Sequence, residues 1–258
     1  MSKLGIFFTC FDELEATRFS LNLLKSVYPD IKIRLFYESN INFKFLESEI
    51  SDLKCSQEED TMSGYLNIEY HDYLSDKDQA AIKKAALAVV NRLLEAIEYL
   101  DSEYILMMDP DAIVRGGLRI PDNSGLLGCR INNHIWALEK LNETLLKYGG
   151  KKITAWGATP AIFNVKDFLI GSQILLNTPN LLDDLCKSFY WFCAHDILLA
   201  SIFSLIGKEE EFNPELLQCT SVPDWRQLNH PLLHQFREYY PLRKTKYKIN
   251  EQKESIDN

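Results

Sequence analysis

Two aspartates near the middle of the chain are the residues best suited to chemistry. Asp109 and Asp111 are separated only by Pro110, and they directly follow an apolar run from Tyr104 to Met108. Carboxylates this close repel each other unless a positive group or water compensates their charge. Mg2+ and Mn2+ prefer carboxylate oxygens, and one or two protein carboxylates often hold them together with substrate phosphates. The spacing therefore predicts a divalent-cation site. The alternative is a solvated turn in which Asp111 caps a helix.

The segments around the aspartates predict where they lie in the fold. Gln79 to Leu100 has no Gly or Pro and has apolar residues at helical spacing, which predicts a long helix leading into a strand at Tyr104 to Met108. Leu4 to Cys10 and Lys32 to Tyr37 predict two strands joined by a helix, and such a β-α-β opening is typical of a parallel sheet. The aspartates would then lie at the carboxyl end of a parallel strand, where open α/β sheets bind ligands.

The remaining segments give less regular patterns. Residues 39 to 78 are polar and acidic and predict loops and short elements, with a strand at Tyr65 to Tyr70. The later elements predicted from the sequence are strands at Gly125 to Arg130 and Ala161 to Phe163, a strand at Phe168 to Asn177 bent at Gly171, a helix at Asn180 to Tyr190, and a helix over "HDILLASIFSLIG" that is entered through Asp196 and ended by Gly207.

Composition limits the class of protein. The chain has 258 residues with 46% hydrophobic content, and no linker divides it, so we predict one domain over residues 1–242 and a disordered tail over 243–258, which is poor in apolar residues. A net charge of -9 argues against a nucleic-acid or anionic-membrane partner. Neither a signal peptide nor an integral membrane segment is predicted at the N-terminus. Six cysteines without a C-x-x-C pair favour a reducing compartment, so a cytoplasmic location is expected.

One stretch of the chain resembles a known family. The run "NRLLEAIEYLDSEYILMMDPDAIV" is similar to the centre of GT-A glycosyltransferases, in which an Arg-bearing helix precedes a hydrophobic strand that ends in a D-x-D motif. "LGIFFTCFDE", "FLIGSQILLN" and "WFCAHDILLASIFSLIG" resemble the family's first strand, its acceptor-facing segment and its later helix beside the sugar. The resemblance covers roughly residues 3 to 240 and implies an α/β GT-A fold with a central, mostly parallel sheet flanked by helices.

The resemblance also implies roles for residues that contact the donor. Asp109 and Asp111 would bind Mn2+ or Mg2+ and the diphosphate of a nucleotide sugar, with Asp111 as the direct ligand. Thr9, near the end of the first strand, and Phe11, in the loop after it, would line the nucleotide base, as this loop does in the family. Arg92 matches the helix position near the nucleotide or its phosphates. The alternative for Arg92 is a surface residue paired with Glu95 or Glu98.

Asp196 matches the catalytic base of inverting family members, which removes the proton from the acceptor hydroxyl. A helix N-cap is the alternative role, and His195 replaces the acidic residue that is more usual beside the base. His234 resembles the late histidine that completes some of the family's metal sites, with His230 as the other candidate and a structural role as the alternative for either.

Three tryptophans could stack on a sugar or pack in the core: Trp156, Trp191 and Trp225.

The sequence therefore predicts a metal-dependent, inverting glycosyltransferase that moves a sugar from a UDP- or GDP-sugar to a glycan or other hydroxyl acceptor. A sugar nucleotidyltransferase is the first alternative, but "FFTCFDELEATR" lacks the Gly-rich phosphate loop that such enzymes carry after their first strand. A non-catalytic protein that binds nucleotide sugars or glycans is the second. The absence of G-x-G-x-x-G and G-x-x-x-x-G-K-[ST] motifs disfavours a Rossmann dehydrogenase and a P-loop NTPase.

Overall fold

A computed structural model gives the fold of the chain. It describes residues 2–11, 13–38, 41–61, 75–128, 135–154, 159–188, 194–218 and 230–234. The predicted strand at Tyr65 to Tyr70 and the predicted tail over 243–258 lie outside these residues. The single domain over residues 1–242 stays a prediction.

The amino-terminal part forms the predicted β-α-β unit and extends it. Strand β1 (Ser2–Cys10) is followed by helix α1 (Leu14–Val27) and strand β2 (Ile33–Tyr37). A short helix α2 (Leu46–Glu49) and a third strand β3 (Leu53–Gln57) come next, within the region predicted only as loops and short elements. Strands β1, β2 and β3 pair in parallel, which confirms the predicted direction of the sheet.

The long helix is confirmed as α3 (Asp76–Leu100), and it leads into strand β4 (Ser102–Met108). A capping box at Ser75 and Asp78 starts the helix, because each side chain accepts a hydrogen bond from the other residue's backbone N–H. The helix is followed by its C-terminal cap residue, Asp101, which has a φ of 45° in the left-handed region. This one-residue reversal brings β4 into parallel pairing with β1.

The second half alternates short strands with helices. Its elements are β5 (Ala112–Val114), β6 (Leu126–Gly128), α4 (Ile135–Lys147), β7 (Ala161–Asn164), α5 (Val165–Asn177), α6 (Leu181–Ser188), α7 (Ala194–Leu205), β8 (Glu210–Phe212), β9 (Leu216–Gln218) and β10 (Leu232–His234). The strands predicted near residues 125 and 161 and the helices predicted near residues 180 and 195 are confirmed.

Two sheets organise these elements. The main sheet has the strand order β3-β2-β1-β4-β7-β6-β8, and a small sheet has the order β5-β10-β9. In the main sheet only β7 runs against its neighbours, because β4 and β6 both pair with it antiparallel while β8 pairs in parallel with β6. The strands β1, β2, β3 and β4 therefore end at one edge, called here the carboxyl edge. The predicted α/β architecture with a mostly parallel central sheet flanked by helices is confirmed.

The main sheet is buried on both faces. Alternate residues of β1 face opposite sides: Phe7 packs against the cluster that includes α3 and α5, whereas Ile6 and Phe8 pack against the cluster that includes α1. The small sheet lies on the α1 side, where Ser20 donates a hydrogen bond to the backbone oxygen of Ala112 at 2.6 Å. No helix in the described part of the chain is long and apolar enough to cross a membrane.

The predicted strand over Phe168 to Asn177 is wrong, because this segment belongs to helix α5. Asn164 caps the helix by accepting a hydrogen bond from the N–H of Asp167. The buried residues follow helical spacing, at Phe168, Gly171, Ser172 and Leu175. Gly171 does not bend a strand; it allows α5 to approach Ile202 of α7 closely.

Candidate active site

The two aspartates lie in a tight turn at the carboxyl edge. The N–H of Ala112 donates a hydrogen bond of 3.1 Å to the backbone oxygen of Asp109, with Pro110 at the second position of the turn, where its fixed φ is favoured. Asp111 is only 4% exposed, and Asp109 is half-buried. Strand β5 begins directly after Asp111, so the alternative of a solvated turn with a helix cap is wrong. The turn instead holds a buried carboxylate at the end of the central strand β4.

The predicted nucleotide loop begins beside this turn. Strands β1 and β4 are in register through Phe8 and Met108, so the next residues, Thr9 and Asp109, are neighbours at the edge of the sheet, where β4 ends while Thr9 still pairs with Phe36 of β2. Phe11 follows two residues later, and its N–H donates to Glu13 Oε2 at 3.1 Å. The parallel register therefore brings Thr9 close to the D-x-D turn, as expected for a loop that shares a ligand with it.

The late histidine segment also reaches the turn. Strand β10 pairs antiparallel with β5, and the register places His234 opposite Ala112, the residue after Asp111. The side chain of His234 lies outside the described residues, whereas His230 is described and half-buried. Since the backbone of His234 is fixed beside the D-x-D turn, it is better placed than His230 to complete a site there.

Arg92 is buried in α3 and faces a glutamate that the sequence analysis did not identify. Its Nη1 lies 2.5 Å from Glu38 Oε1, and its Nη2 donates to the backbone oxygen of Glu59 at 3.3 Å. The alternative of a surface arginine paired with Glu95 or Glu98 is wrong, because Arg92 is 7% exposed and Glu95 faces Arg34 instead. The role of Arg92 at the nucleotide stays a prediction.

Glu38 is the residue that follows β2, at the same edge as the D-x-D turn. Its carboxylate accepts hydrogen bonds from the N–H of Thr61 at 2.9 Å and from Thr61 Oγ1 at 2.8 Å. Its own N–H donates to the backbone oxygen of Cys10 at 3.4 Å. Cys10 lies between Thr9 and Phe11 in the chain. A sequence signal for Glu38 existed, since a charged residue directly after an apolar strand is the pattern that identified Asp109.

Asp196 lies within α7 rather than before it. The helix begins at Ala194, so Asp196 is its third residue and the predicted entry of the helix through Asp196 is wrong. An N-cap residue precedes the first helical residue, whereas Asp196 lies inside the helix and therefore does not cap it. The side chains of His195 and Asp196 lie outside the described residues, and the base role stays a prediction. Trp156, Trp191 and Trp225 also lie outside them.

The residues of the turn suit a hard divalent cation. Burying a carboxylate costs free energy unless its charge is compensated, and Asp111 is buried within two residues of a second carboxylate. The described side chains include no group of three potential metal ligands, and the imidazole of His234 is not among them. Asp109, Asp111 and His234 would together give the oxygen and nitrogen donors that Mn2+ accepts.

The chain is similar in fold to solved glycosyltransferase structures. No family model matches the chain, and no curated protein matches it either. An active-site mutant of LgtC has a TM-score of 0.49 at 14% identity, over 89% of this chain and 86% of that one. The bifunctional glycosyltransferase WbbM has a TM-score of 0.49 at 14% identity over 91% of this chain, which spans 46% of that protein. The galactosyltransferase LgtC with donor and acceptor sugar analogues has a TM-score of 0.44 at 14% identity, over 89% and 86% of the two chains. These values assign no activity, so the function is inferred from this chain's own residues.

Proposed function

We propose that the chain is a metal-dependent glycosyltransferase that moves a sugar from a UDP- or GDP-sugar to an acceptor hydroxyl with inversion. The observation that carries the proposal is the Asp109-Pro110-Asp111 turn, which buries a carboxylate at the carboxyl end of β4 beside Thr9. In open α/β sheets ligands bind outside this edge. A divalent cation held by carboxylates at such an edge can bind the phosphates of a nucleoside diphosphate.

The donor would be held by residues at the carboxyl edge. Asp109, Asp111 and His234 would hold Mn2+ or Mg2+, which neutralises the charge that develops on the diphosphate leaving group. Thr9 and Phe11 would line the nucleotide base, because they lie at the carboxyl end of β1, the strand beside β4. The two aspartates alone would repel the diphosphate, so donor binding depends on the cation.

Asp196 would act on the acceptor. The acceptor oxygen forms a bond to the anomeric carbon as the bond from that carbon to the diphosphate breaks, and the hydroxyl proton passes to the Asp196 carboxylate. The nucleoside diphosphate leaves with the bonding electrons. Attack from the face opposite the leaving group inverts the anomeric configuration.

The test is nucleotide binding with and without a cation. At a concentration about 100 times the dissociation constant, UDP or GDP should stabilise the fold by about 2.7 kcal/mol in Mn2+. For a chain of this size the melting temperature should rise by roughly 5–10 °C. The rise should be absent in EDTA. Stabilisation that EDTA does not change would refute the role of the cation.

Two variants locate the effect. Asp111→Asn should lose the Mn2+-dependent rise and retain the fold, because it removes the buried charge and not the turn. Asp122→Asn is the matched control, since that carboxylate is 95% exposed and pairs only loosely with Lys3 at 3.8 Å. Equal losses in both variants would show that the rise does not depend on the D-x-D turn.

A further inference from the structure

A short segment after β3, residues 58–61, is held at the carboxyl edge by hydrogen bonds to the buried side chains of Glu38 and Arg92. Residues 58–61 do not leave the sheet at the end of β3; the N–H of Glu58 donates to the backbone oxygen of Tyr37 at 2.8 Å, and Thr61 makes two hydrogen bonds to Glu38. Arg92 donates to the backbone oxygen of Glu59. The segment is thus held alongside the end of β2 by one carboxylate and one guanidinium.

The same carboxylate connects the segment to the predicted nucleotide loop. Glu38 contacts Cys10 through its backbone and Thr61 through its side chain, and Cys10 lies between Thr9 and Phe11. Since β1 lies between β2 and β4 in the sheet, the segment is on the opposite side of this loop from the D-x-D turn. A ligand that contacts both the loop and the turn would have residues 58–61 beside its base.

The ion pair of Arg34, on β2, differs from the Arg92–Glu38 pair in its exposure to solvent. Arg34 faces Glu95 of α3, but Glu95 is 53% exposed, and Arg34 also donates to Ser56 Oγ at 2.7 Å. In the Arg92–Glu38 pair the side chains are only 8% and 3% exposed. Replacing a buried ion pair by apolar residues of similar volume is often neutral or stabilising, so stability alone does not account for a buried pair at the carboxyl edge, whereas a role in positioning the segment would.

We infer that Arg92 and Glu38 are positioning residues that hold residues 58–61 as one wall of the donor site, on the side of the nucleotide base. The inference rests on the function proposed above and changes the role of Arg92. Its guanidinium acts through Glu38 on the wall and does not contact the phosphates. The pair should therefore affect donor affinity and leave the transfer step unchanged.

The first measurement needs no ligand. Glu38→Gln removes the charge that accepts both hydrogen bonds of Thr61 and faces Arg92. Hydrogen exchange at the Thr61 amide, followed by NMR, should become faster by about tenfold or more, because a hydrogen bond to a charged group is lost. Amides in β1 and β4 should keep their native exchange rates. Unchanged exchange at Thr61 would overturn the inference.

The second measurement uses UDP or GDP with Mn2+ in calorimetry and in donor-dependent turnover. Glu38→Gln should raise the dissociation constant and the KM for donor by about tenfold, as outer contacts of a binding site commonly do, with kcat unchanged. Arg92→Lys, which keeps a positive charge facing Glu38, should bind more tightly than Arg92→Met. Glu95→Gln is the matched control and should bind as the native protein does.

Each result decides a different point. If Glu38→Gln binds the nucleotide with native affinity, or if Glu95→Gln weakens binding equally, the wall role is wrong while the proposed function stands. If the native protein binds neither nucleotide in Mn2+, the proposed function fails and the donor role fails with it. The exchange rate of Thr61 would then still report whether Glu38 holds the segment.

Discussion

The packing of α5 on α7 gives a prediction that links stability to the candidate catalytic helix. An alanine Cβ built at Gly171 would lie 2.7 Å from Ile202 Cγ2 and 3.1 Å from its carbonyl carbon, and nearer still to its carbonyl oxygen. Ordinary van der Waals contact begins at 3.4 Å. The backbone of α7 cannot rotate away as a side chain could, so Gly171→Ala must push the two helices apart.

The magnitude follows from two opposing effects. Overpacking a core costs about 1–3 kcal/mol, and the upper end applies here because the obstructing atoms include backbone. Replacing Gly by Ala inside a helix increases the stability of the helix by about 1 kcal/mol. The net loss should be about 2 kcal/mol, which lowers the melting temperature of a chain of this size by roughly 4–8 °C.

The assay is thermal unfolding together with donor-dependent nucleotide release. Because α7 carries Asp196, Gly171→Ala should also reduce turnover at temperatures where the variant is still folded. Gly117→Ala is the control, since apart from Gly117 and its two chain neighbours no heavy atom of the described residues lies within 4 Å of a Cβ built at that position. A Gly171→Ala protein that melts at or above the native temperature would refute the close approach of the two helices.

Three further changes test other parts of the molecule. Asp196→Asn should retain nucleotide affinity while transfer falls by on the order of 10²-fold, and NMR of the native product should show inverted configuration; retained configuration would remove Asp196 from the base role. Burial raises the pKa of the Cys55 and Cys186 thiols to about 12, so both should react with a thiol reagent at pH 8 only after unfolding, and fast labelling in the native state would contradict their burial. The hydrogen bond from Lys147 lowers the pKa of Asp184 below 3.8, so Asp184→Asn should lower the melting temperature at neutral pH. That difference should vanish as the pH falls through the folded-state pKa, because the native carboxyl is then protonated as well; a difference that persists at low pH would show another cause.

The sequence predicts correctly those elements whose residue pattern is long and lies within one continuous segment. Helix α3 and strand β4 follow from an uninterrupted helical period and an apolar run, and their junction puts Asp109 at a strand end. The segment that forms α5 was predicted as a strand because its apolar residues are dense enough to fit both the helical and the strand period. Its helical state is decided by the Asn164 cap and by packing on α7, which involves distant residues.

The part of the site that could not be predicted depends on pairing between distant segments. Strand β10 has three residues and no periodicity of its own, so only its partner β5 reveals that His234 lies beside the D-x-D turn. Arg92 has acidic neighbours on its own helix, so sequence spacing offers Glu95 and Glu98 as partners and does not indicate Glu38. Burial decided the pairing, because Glu38 is enclosed at the sheet edge whereas Glu95 is exposed and faces Arg34.

The pairing of β5 with β10 has a consequence for the order in which the protein can mature. Strand β5 is synthesised long before β10, and its backbone finds its antiparallel partner only when Leu232 to His234 have left the ribosome. The parallel strands β1 to β4 can associate earlier, because each is complete once Met108 has emerged. A nascent chain would thus hold a formed sheet and an exposed acidic turn for much of its synthesis. The proposed donor site, which includes His234, would be completed only late in synthesis.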